Sequence, residues 1–337
     1  MPWSLVQAVL LLRLSSVARA SSAGDIRCLA WVLACSSAKA WSAASGDWAI
    51  SPNKRQRVTD YPIHEEGSCI KVANFNGIQL SAGANQNRIG TDGNGTADLA
   101  ERNIISGNNW QGIEIGGNGT DSNIVADNFI GTNEAGSTAV ANAQNGFWIG
   151  NGAKNNIVGG TSVLSRNVIS GNSVNGLHIT DAGTTNNSVI GNYVGTNASG
   201  LAPIPNVVQG IAIVSGAASN RLGTNGDGVD DGLERNIVSG NSNNGIWLSG
   251  VGTTGNVIAG NYLGTNVSGN VALSNGHSGI WINARASGNI IGTNGSNDSF
   301  NVNEKNVISG NLHSGVYITD IGSNGNIISG NTIGLSA

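Results

Sequence analysis

Aromatic and polar side chains recur at one position of a repeated Gly-Φ-x-Φ pattern, in which Φ is an apolar residue. Successive copies start 30 to 36 residues apart. Alternate side chains of a β-strand point to opposite faces, so the Φ residues face a core and x faces outward. The x positions, which we call the outward column, are Gln79, Glu114, Trp148, His178, Ala212, Trp247, Trp281 and Tyr317.

The outward column is rich in rings, although aromatic residues make up only 5% of the chain. Exposed flat rings are suited to stacking on sugar faces, and exposing them is costly unless a ligand or partner covers them. The residues predicted to bind substrate are Glu114, Trp148, His178, Trp247, Trp281 and Tyr317. Two structural interpretations stay open, namely packing of the rings on one another and coverage by long loops or a further domain.

A second group of residues has the types that catalysis on acidic sugars requires. His277 and His313 each lie two residues before the glycine of the last two copies. A lyase or C5-epimerase acting on uronate polymers needs a base, an acid on the opposite face and a cation that neutralises the carboxylate. The predicted catalytic residues are His277, Arg285, His313, Tyr317 and Asp320. Simple solvation of turn residues is the ordinary alternative.

Two acidic, glycine-containing segments carry oxygen ligands at close spacing, and Ca²⁺ prefers six to eight such oxygens. The first segment offers Asp92, Asp98 and Glu101. The stronger metal candidate comprises Asn225, Asp227, Asp230, Asp231 and Glu234. Solvated acidic loops are the competing interpretation. No pattern in the chain requires a cofactor, and Ca²⁺ is the one metal ion that the sequence indicates.

The repeated unit that carries these residues starts at residue 77. After the Gly-Φ-x-Φ strand comes an Asn-x-[Ile/Val/Leu] strand, 10 or 11 residues from the glycine, and then a third short strand. Strands this short suggest one coil per unit, with each strand beside its copy in the next coil at about 4.8 Å. The sequence therefore predicts an all-β solenoid of about eight coils with three short parallel strands per coil.

Asparagine also recurs at fixed positions of the unit. An asparagine tolerates left-handed turn geometry, and its amide can hydrogen-bond the copies above and below. We therefore predict internal ladders from Asn108, Asn133, Asn172, Asn197, Asn241, Asn266 and Asn311. Long insertions alternate between the end of the second strand and the end of the third, which keeps successive loops from colliding.

The pattern GIxI…NxI…NxISGN, seen at 245–261 and 306–318, resembles the right-handed parallel β-helix repeat families. These are the pectate-lyase-like superfamily, including NosD-type repeat proteins. The resemblance covers residues 77–337 and implies the right-handed parallel β-helix fold. It implies little about activity, because such families include lyases, epimerases, hydrolases and adhesins. No enzyme motif of the family is matched, so no catalytic residue is carried over.

The remaining features concern location and partners. A net charge of −4 argues against binding of nucleic acid or of an acidic membrane surface. Residues 1–20 are predicted to be a signal peptide, because an apolar run precedes the small-residue sequence Ala18-Arg19-Ala20. Residues 21–57 then form a leader or linker, 58–76 cap the first coil and 77–337 are the repeats. The apolar run at 28–35 is too short to span a membrane.

The last unit stops where earlier units continue into a long loop, so we expect further domains beyond this chain. The leading hypothesis is a secreted or cell-surface protein that binds extracellular polysaccharide along the outward column. A polysaccharide lyase or C5-epimerase acting on uronate polymers is the first alternative. A structural or adhesive stalk without a ligand is the second.

Overall fold

The structure is a computed structural model that describes residues 73–293 and 299–335. The predicted signal peptide, the leader and most of the predicted cap lie outside the described residues. The described chain forms three parallel β-sheets of eight strands each, with almost no helix. In the same ranges, no helix has the length and apolar character needed to cross a bilayer.

The first sheet contains the Gly-Φ-x-Φ strands. They are β1 (Ile78–Ser81), β4 (Ile113–Gly116), β7 (Phe147–Gly150), β10 (Leu177–Ile179), β13 (Ile211–Val214), β16 (Ile246–Ser249), β19 (Ile280–Asn283) and β22 (Val316–Ile318).

The second sheet contains the Asn-x-Φ strands. They are β2 (Arg88–Gly90), β5 (Ile124–Ala126), β8 (Ile157–Gly159), β11 (Ser188–Ile190), β14 (Arg221–Gly223), β17 (Val257–Ala259), β20 (Ile290–Gly292) and β23 (Ile327–Ser329).

The third sheet contains two-residue strands. They are β3 (Ile104–Ile105), β6 (Phe129–Ile130), β9 (Val168–Ile169), β12 (Tyr193–Val194), β15 (Ile237–Val238), β18 (Tyr262–Leu263), β21 (Val307–Ile308) and β24 (Thr332–Ile333).

This arrangement confirms the predicted all-β, right-handed parallel β-solenoid with three strands per coil. The number of coils differs slightly from the expected eight. Eight strands in a sheet are separated by seven turns of the chain, so the solenoid makes about seven turns. The difference arises because each repeated pattern marks the start of a strand, whereas a turn runs from one strand to its copy.

The core is a continuous stack of branched aliphatic side chains. Ile113, Ile149 and Ile213 of the first sheet are 0% exposed, as are their counterparts Val125 and Ile130 on the other two sheets. Strands of neighbouring coils pair in parallel and in register, so equivalent side chains lie directly above one another. The short strands therefore acquire their stability from stacking on neighbouring coils.

Asparagine ladders hold the corners of the solenoid. In one ladder the amides of Asn108 and Asn142 donate to the Oδ1 atoms of Asn142 and Asn172, respectively. It continues through Asn241 to Asn311, so the predicted ladder positions Asn108, Asn172, Asn241 and Asn311 are confirmed. Two further ladders start at Asn87 and Asn103.

Three predicted ladder residues have a different role. Asn133, Asn197 and Asn266 each accept backbone N–H bonds from residues four and five positions later. Their side chains are thus used within single loops and do not bond copies in other coils. The reason is positional, since each lies at the start of a long insertion, where the backbone leaves the regular coil.

The long loops cover the third sheet. Each loop after β6, β12 and β18 closes with an antiparallel bridge, such as Thr132 to Ala139. Ala198 N–H donates to Gly136 O at 2.9 Å, so successive loops also stack on one another. Loops after the second sheet contain α1 (Asp98–Glu101), the 3-10 turn Val163–Ser165 and α2 (Asp231–Glu234).

The connections that leave the first sheet are short, as between Ser81 and Arg88. In the described ranges, the long loops of this solenoid follow the second and third sheets. The outer face of the first sheet therefore carries the outward column without such a cover.

Candidate functional site

The outward column forms one row across all eight strands of the first sheet. The register pairs each member with the next, from Gln79 beside Glu114 to Trp281 beside Tyr317. Seven of the eight side chains are half-buried or exposed, Trp247 and Trp281 among them, and Tyr317 is 36% exposed. The structure therefore places these residues in one row, as the alternation of the sequence pattern indicates.

Ala212 divides the column, because it is 0% exposed between His178 and Trp247. We call the four members before it (Gln79, Glu114, Trp148, His178) the polar half. We call Trp247, Trp281 and Tyr317, with the flanking His277 and His313, the aromatic half.

The rings of the aromatic half are offset-stacked. Trp247 and Trp281 have ring centroids 6.0 Å apart and planes 22° apart, and Trp281 and Tyr317 are 6.3 Å and 16° apart. Direct face-to-face contact would need about 3.5–4 Å, so the rings overlap only in part. Part of each ring surface is therefore free of its neighbour in the ladder.

Each indole N–H of this half is anchored on the next coil. Trp247 Nε1 donates to Asn283 Oδ1 at 2.9 Å, and Trp281 Nε1 donates to Thr319 Oγ1 at 3.2 Å. The acceptors lie two residues beyond the next member of the column. Sequence reasoning missed Asn283 and Thr319, although a polar residue two positions after an aromatic member of the column is a signal that could have indicated them.

His277 and His313 stack beside these rings. Their centroids are 4.4 Å apart with planes 12° apart, and His313 meets the Tyr317 ring edge-on at 5.4 Å. His277 is also 6.4 Å from Tyr317, centroid to centroid. The structure thus brings three of the five predicted catalytic residues together.

Arg285 and Asp320 lie at the other end of the strands. Both are in left-handed turn conformation with φ of 72°, after β19 and β22. Four strand residues separate the histidine end from the arginine end, a rise of about 13 Å. Asp320 Oδ2 accepts the Ala284 N–H at 2.9 Å, which gives it a role in the turn. The predicted catalytic group is therefore split between two ends of the sheet.

The polar half is tied down by hydrogen bonds. Glu114 accepts from Asn76 Nδ2 at 2.8 Å and from Gln79 Nε2 at 3.0 Å, so both carboxylate oxygens are occupied. Trp148 lies against glycines of the sheet, because a Cβ built on Gly150 would come within 2.4 Å of its ring and one on Gly116 within 2.8 Å.

His178 is a half-buried titratable group of the polar half. Burial lowers the pKa of His178 below its ordinary value, and the negative charge of Asp181 opposes that shift. Asn175 Nδ2 lies 3.1 Å from His178 Nδ1. Burial therefore favours the neutral form of the imidazole.

Another ring pair, which sequence reasoning also missed, lies at the N-terminal end. Phe75 and Trp110 stack with centroids 5.4 Å apart and planes 10° apart. Both lie two residues before a unit glycine, the same position as His277 and His313. That shared position was the available signal.

In the second acidic loop, the buried carboxylates accept hydrogen bonds from the loop and its neighbours. Buried Asp231 accepts from Thr224 Oγ1 and from Gly228 N, and buried Glu234 accepts from Asn225 N and Arg221. The other predicted ligands, Asn225, Asp227 and Asp230, are exposed. The predicted set is thus divided between inward structural contacts and outward side chains.

The first acidic loop brings its carboxylates closer together. In the part of the chain that the structure describes, Asp92, Asp98 and Glu101 form the group whose oxygens lie within 4.8 Å of one another. Its carboxylates also accept hydrogen bonds from Thr91 and from loop backbone N–H groups. Binding of Ca²⁺ stays a prediction for both loops.

Comparison with known proteins adds little to this geometry. No family model matches the chain, and no curated protein does. The chain is similar to a crystal structure of a mutant of the periplasmic alginate epimerase AlgG, with 14% identity and a TM-score of 0.37. The match covers 73% of this chain and 55% of the epimerase, so this chain spans about half the length of that protein. Likeness at this level carries no functional argument.

Proposed function

We propose that this protein binds an extracellular polysaccharide along the aromatic half of the outward column. The observation that supports it is the uncovered ladder of Trp247, Trp281 and Tyr317. The ring centroids repeat at 6.0–6.3 Å along the column, so the ladder offers several stacking positions in a row. Their offset leaves ring surface available for stacking, and aromatic side chains carry much of the energy of binding surfaces.

The direct test is retention on insoluble polysaccharides. Trp247→Ala and Trp281→Ala should each weaken retention at least about tenfold, the usual cost of removing an aromatic anchor. Trp148→Ala is the matched control, since that ring belongs to the polar half. Circular dichroism should show that all variants keep the β-fold. Retention that is unchanged in both aromatic-half variants would leave the non-binding stalk as the better account.

The proposal includes a location and a family. We propose that the protein is secreted or on the cell surface, supported by the predicted signal peptide and by the function itself. Membership of the pectate-lyase-like superfamily with NosD-type repeats is supported by the repeated GIxI…NxI…NxISGN pattern. N-terminal sequencing of the exported protein would test the predicted cleavage after residue 20.

A lyase or C5-epimerase acting on uronate polymers is the second candidate. The contact of His277 and His313 with Tyr317 favours it, because a base and a phenol then lie side by side. The separation of Arg285 from this group weighs against it, since the uronate carboxylate would lack its cation. Incubation with alginate and polygalacturonate in deuterated water tests both reactions. If no unsaturated product forms and no deuterium enters C5, the catalytic hypothesis is refuted.

A further inference from the structure

A ladder of side-chain amides, buried except at its first member, occupies the position directly before the unit glycine, one residue after the position of His277. Its members are Asn76, Gln111, Asn145, Asn175, Gln209 and Asn244. The carbonyl oxygen of each accepts the backbone N–H of the equivalent residue one coil later, as Asn244 Oδ1 does from Ser278 N at 3.1 Å. An N–H group can donate only to oxygen here, so each amide has a single permitted orientation.

The orientation of Asn244 determines where His277 carries its proton. His277 Nδ1 lies 3.0 Å from Asn244 Oδ1. If the Asn244 amide were flipped, its NH2 group would face the Ser278 N–H, so two donors would meet. The flip would also lose the bonds that Nδ2 donates to Gln209 and Asn243. Ser278 Oγ also lies 3.1 Å from Nδ1, but a hydroxyl can accept as well as donate, whereas Oδ1 can only accept. Nδ1 is therefore the protonated nitrogen and donates to Oδ1. In neutral His277 the lone pair is consequently on Nε2.

The same ladder produces the opposite tautomer at His178. Asn175 Oδ1 accepts the Gln209 N–H, so its Nδ2 is the atom 3.1 Å from His178 Nδ1. Nδ2 can only donate, so His178 Nδ1 holds the lone pair and Nε2 carries the proton. One ladder thus makes His178 present a donor and His277 present an acceptor. His313 contacts the hydroxyls of Ser278 and Ser314, which permit either tautomer.

We infer that His277 Nε2 accepts a hydrogen bond from a hydroxyl group of a neutral sugar bound on the aromatic half. This inference rests on the proposed polysaccharide binding and adds a specificity-determining residue to it. Within residues 73–293 and 299–335, no hydrogen bond to Nε2 is formed. Sugars carry hydroxyl donors at the edge of the ring, whereas the ring face packs on aromatic groups.

The surroundings of His277 favour an uncharged ligand. Two residues beyond the column the aromatic half carries Ser249, Asn283 and Thr319, all uncharged. The guanidinium groups of Arg102, Arg166 and Arg235 lie 4.1–4.2 Å above rings of the third sheet, away from this surface. Arg285 and Asp320 lie at the far end of the strands from His277, in the turns after β19 and β22. A uronate polymer would bring a carboxylate at every sugar, and Arg285 is a single cation rather than a matching row.

A metal ion does not fit the same two rings. His277 and His313 are within 12° of parallel, so their ring lone pairs point in similar directions and do not converge on one point. Among the described residues, the acidic or histidine groups that cluster within metal-binding reach are in the first acidic loop. A hydroxyl donor requires only one acceptor nitrogen.

The tautomer can be measured without any ligand. Nitrogen-15 NMR of the histidine rings at mildly alkaline pH distinguishes a protonated from an unprotonated ring nitrogen. The expected result is an unprotonated Nε2 in His277 and an unprotonated Nδ1 in His178. The reverse assignment at His277 would overturn the inference, whatever the protein binds.

Binding then tests the role of the acceptor. Cellulose, β-mannan and xylan serve as neutral probes, and alginate and polygalacturonate as anionic ones. His277→Phe keeps a ring in the stack but removes the acceptor, and should lower retention on a neutral polymer about three- to tenfold. His313→Phe is the matched control, with a smaller loss expected.

The outcomes separate the two levels of the proposal. Retention on anionic polymers alone, or a loss in His313→Phe as large as in His277→Phe, would overturn the inference while polysaccharide binding stands. Retention on none of the five polymers would count against the proposed function itself. Retention on a neutral polymer that His277→Phe leaves unchanged would overturn the acceptor role.

Discussion

The two halves of the outward column share one strand position yet present different surfaces. In the polar half, both carboxylate oxygens of Glu114 accept hydrogen bonds, from Asn76 and Gln79, and Trp148 lies against glycines. In the aromatic half, Trp247 and Trp281 are held by their N–H groups on the next coil. The two halves differ in the residue two positions after the column member, which is glycine beside Trp148 and polar in the aromatic half.

That comparison shows that the contacts of a column ring depend on its neighbours as much as on its own type. Trp148 and Trp281 are the same residue at equivalent positions, but glycine lets the first ring settle against the sheet. Ser249 and Asn283 occupy the equivalent positions in the aromatic half. Binding surface is therefore expected where the neighbours are polar and bulky enough to support a ring.

The largest effect should come from removing the glycine support in the polar half. In Gly150→Ser the new side chain would start within 2.4 Å of the Trp148 ring, so the ring must move. We expect a loss of about 1–3 kcal/mol in the free energy of unfolding, typical of overpacking. Ser249→Ala, the matched change in the aromatic half, should stay within about 0.5 kcal/mol. Urea unfolding measures both, and equal effects would contradict the comparison.

The next largest effect should come from releasing an anchored indole. Asn283→Ala removes the acceptor of Trp247 Nε1, and Thr319→Val removes that of Trp281 Nε1 with little change of shape. Each should weaken polysaccharide retention about two- to tenfold, the worth of one hydrogen bond. Retention equal to that of the unmodified protein would mean that the anchors do not position the rings.

His178 should make stability depend on pH in the polar half. Burial lowers its pKa in the folded chain, with Asp181 opposing the shift, whereas the unfolded chain has the ordinary value of about 6.5. Below that value the unfolded chain binds a proton that the folded chain does not, so stability falls as pH falls. His178→Gln should lose less stability than the unmodified protein between neutral and mildly acidic pH. If the free energy of unfolding changes equally with pH in the variant and the unmodified protein, His178 makes no such contribution.

The smallest effect is expected at Glu114. Glu114→Gln keeps an acceptor for one of its two partners, so stability should fall by no more than about 1 kcal/mol. Retention on polysaccharide should not change, because Glu114 belongs to the polar half. A marked loss of retention would show that the two halves act as one site.

Much of the fold could be predicted from the sequence, because regular spacing sets register in a solenoid. Glu114 beside Trp148 and Trp281 beside Tyr317 follow from the position of each residue in its unit. The arrangement of the candidate site was harder to predict from the sequence. Arg285 is only eight residues from His277 in sequence, but an extended strand turns that interval into a long separation.

Side-chain orientation was beyond the sequence pattern. Whether Asn244 turns its oxygen or its nitrogen toward His277 depends on the Ser278 N–H one coil later. Whether Trp148 lies flat depends on Gly116 in the coil before it. Both are contacts across coils, and the composition of a single unit contains no information about them.

The most direct test of polysaccharide binding by the aromatic half is NMR of the tryptophan indole N–H groups. The protein is titrated with soluble oligosaccharides of the polymer that retains it. We expect the Trp247 and Trp281 signals to shift in a saturable manner while the Trp148 signal stays in place. Equal shifts at Trp148, or shifts at Trp148 alone, would contradict the assignment of binding to the aromatic half.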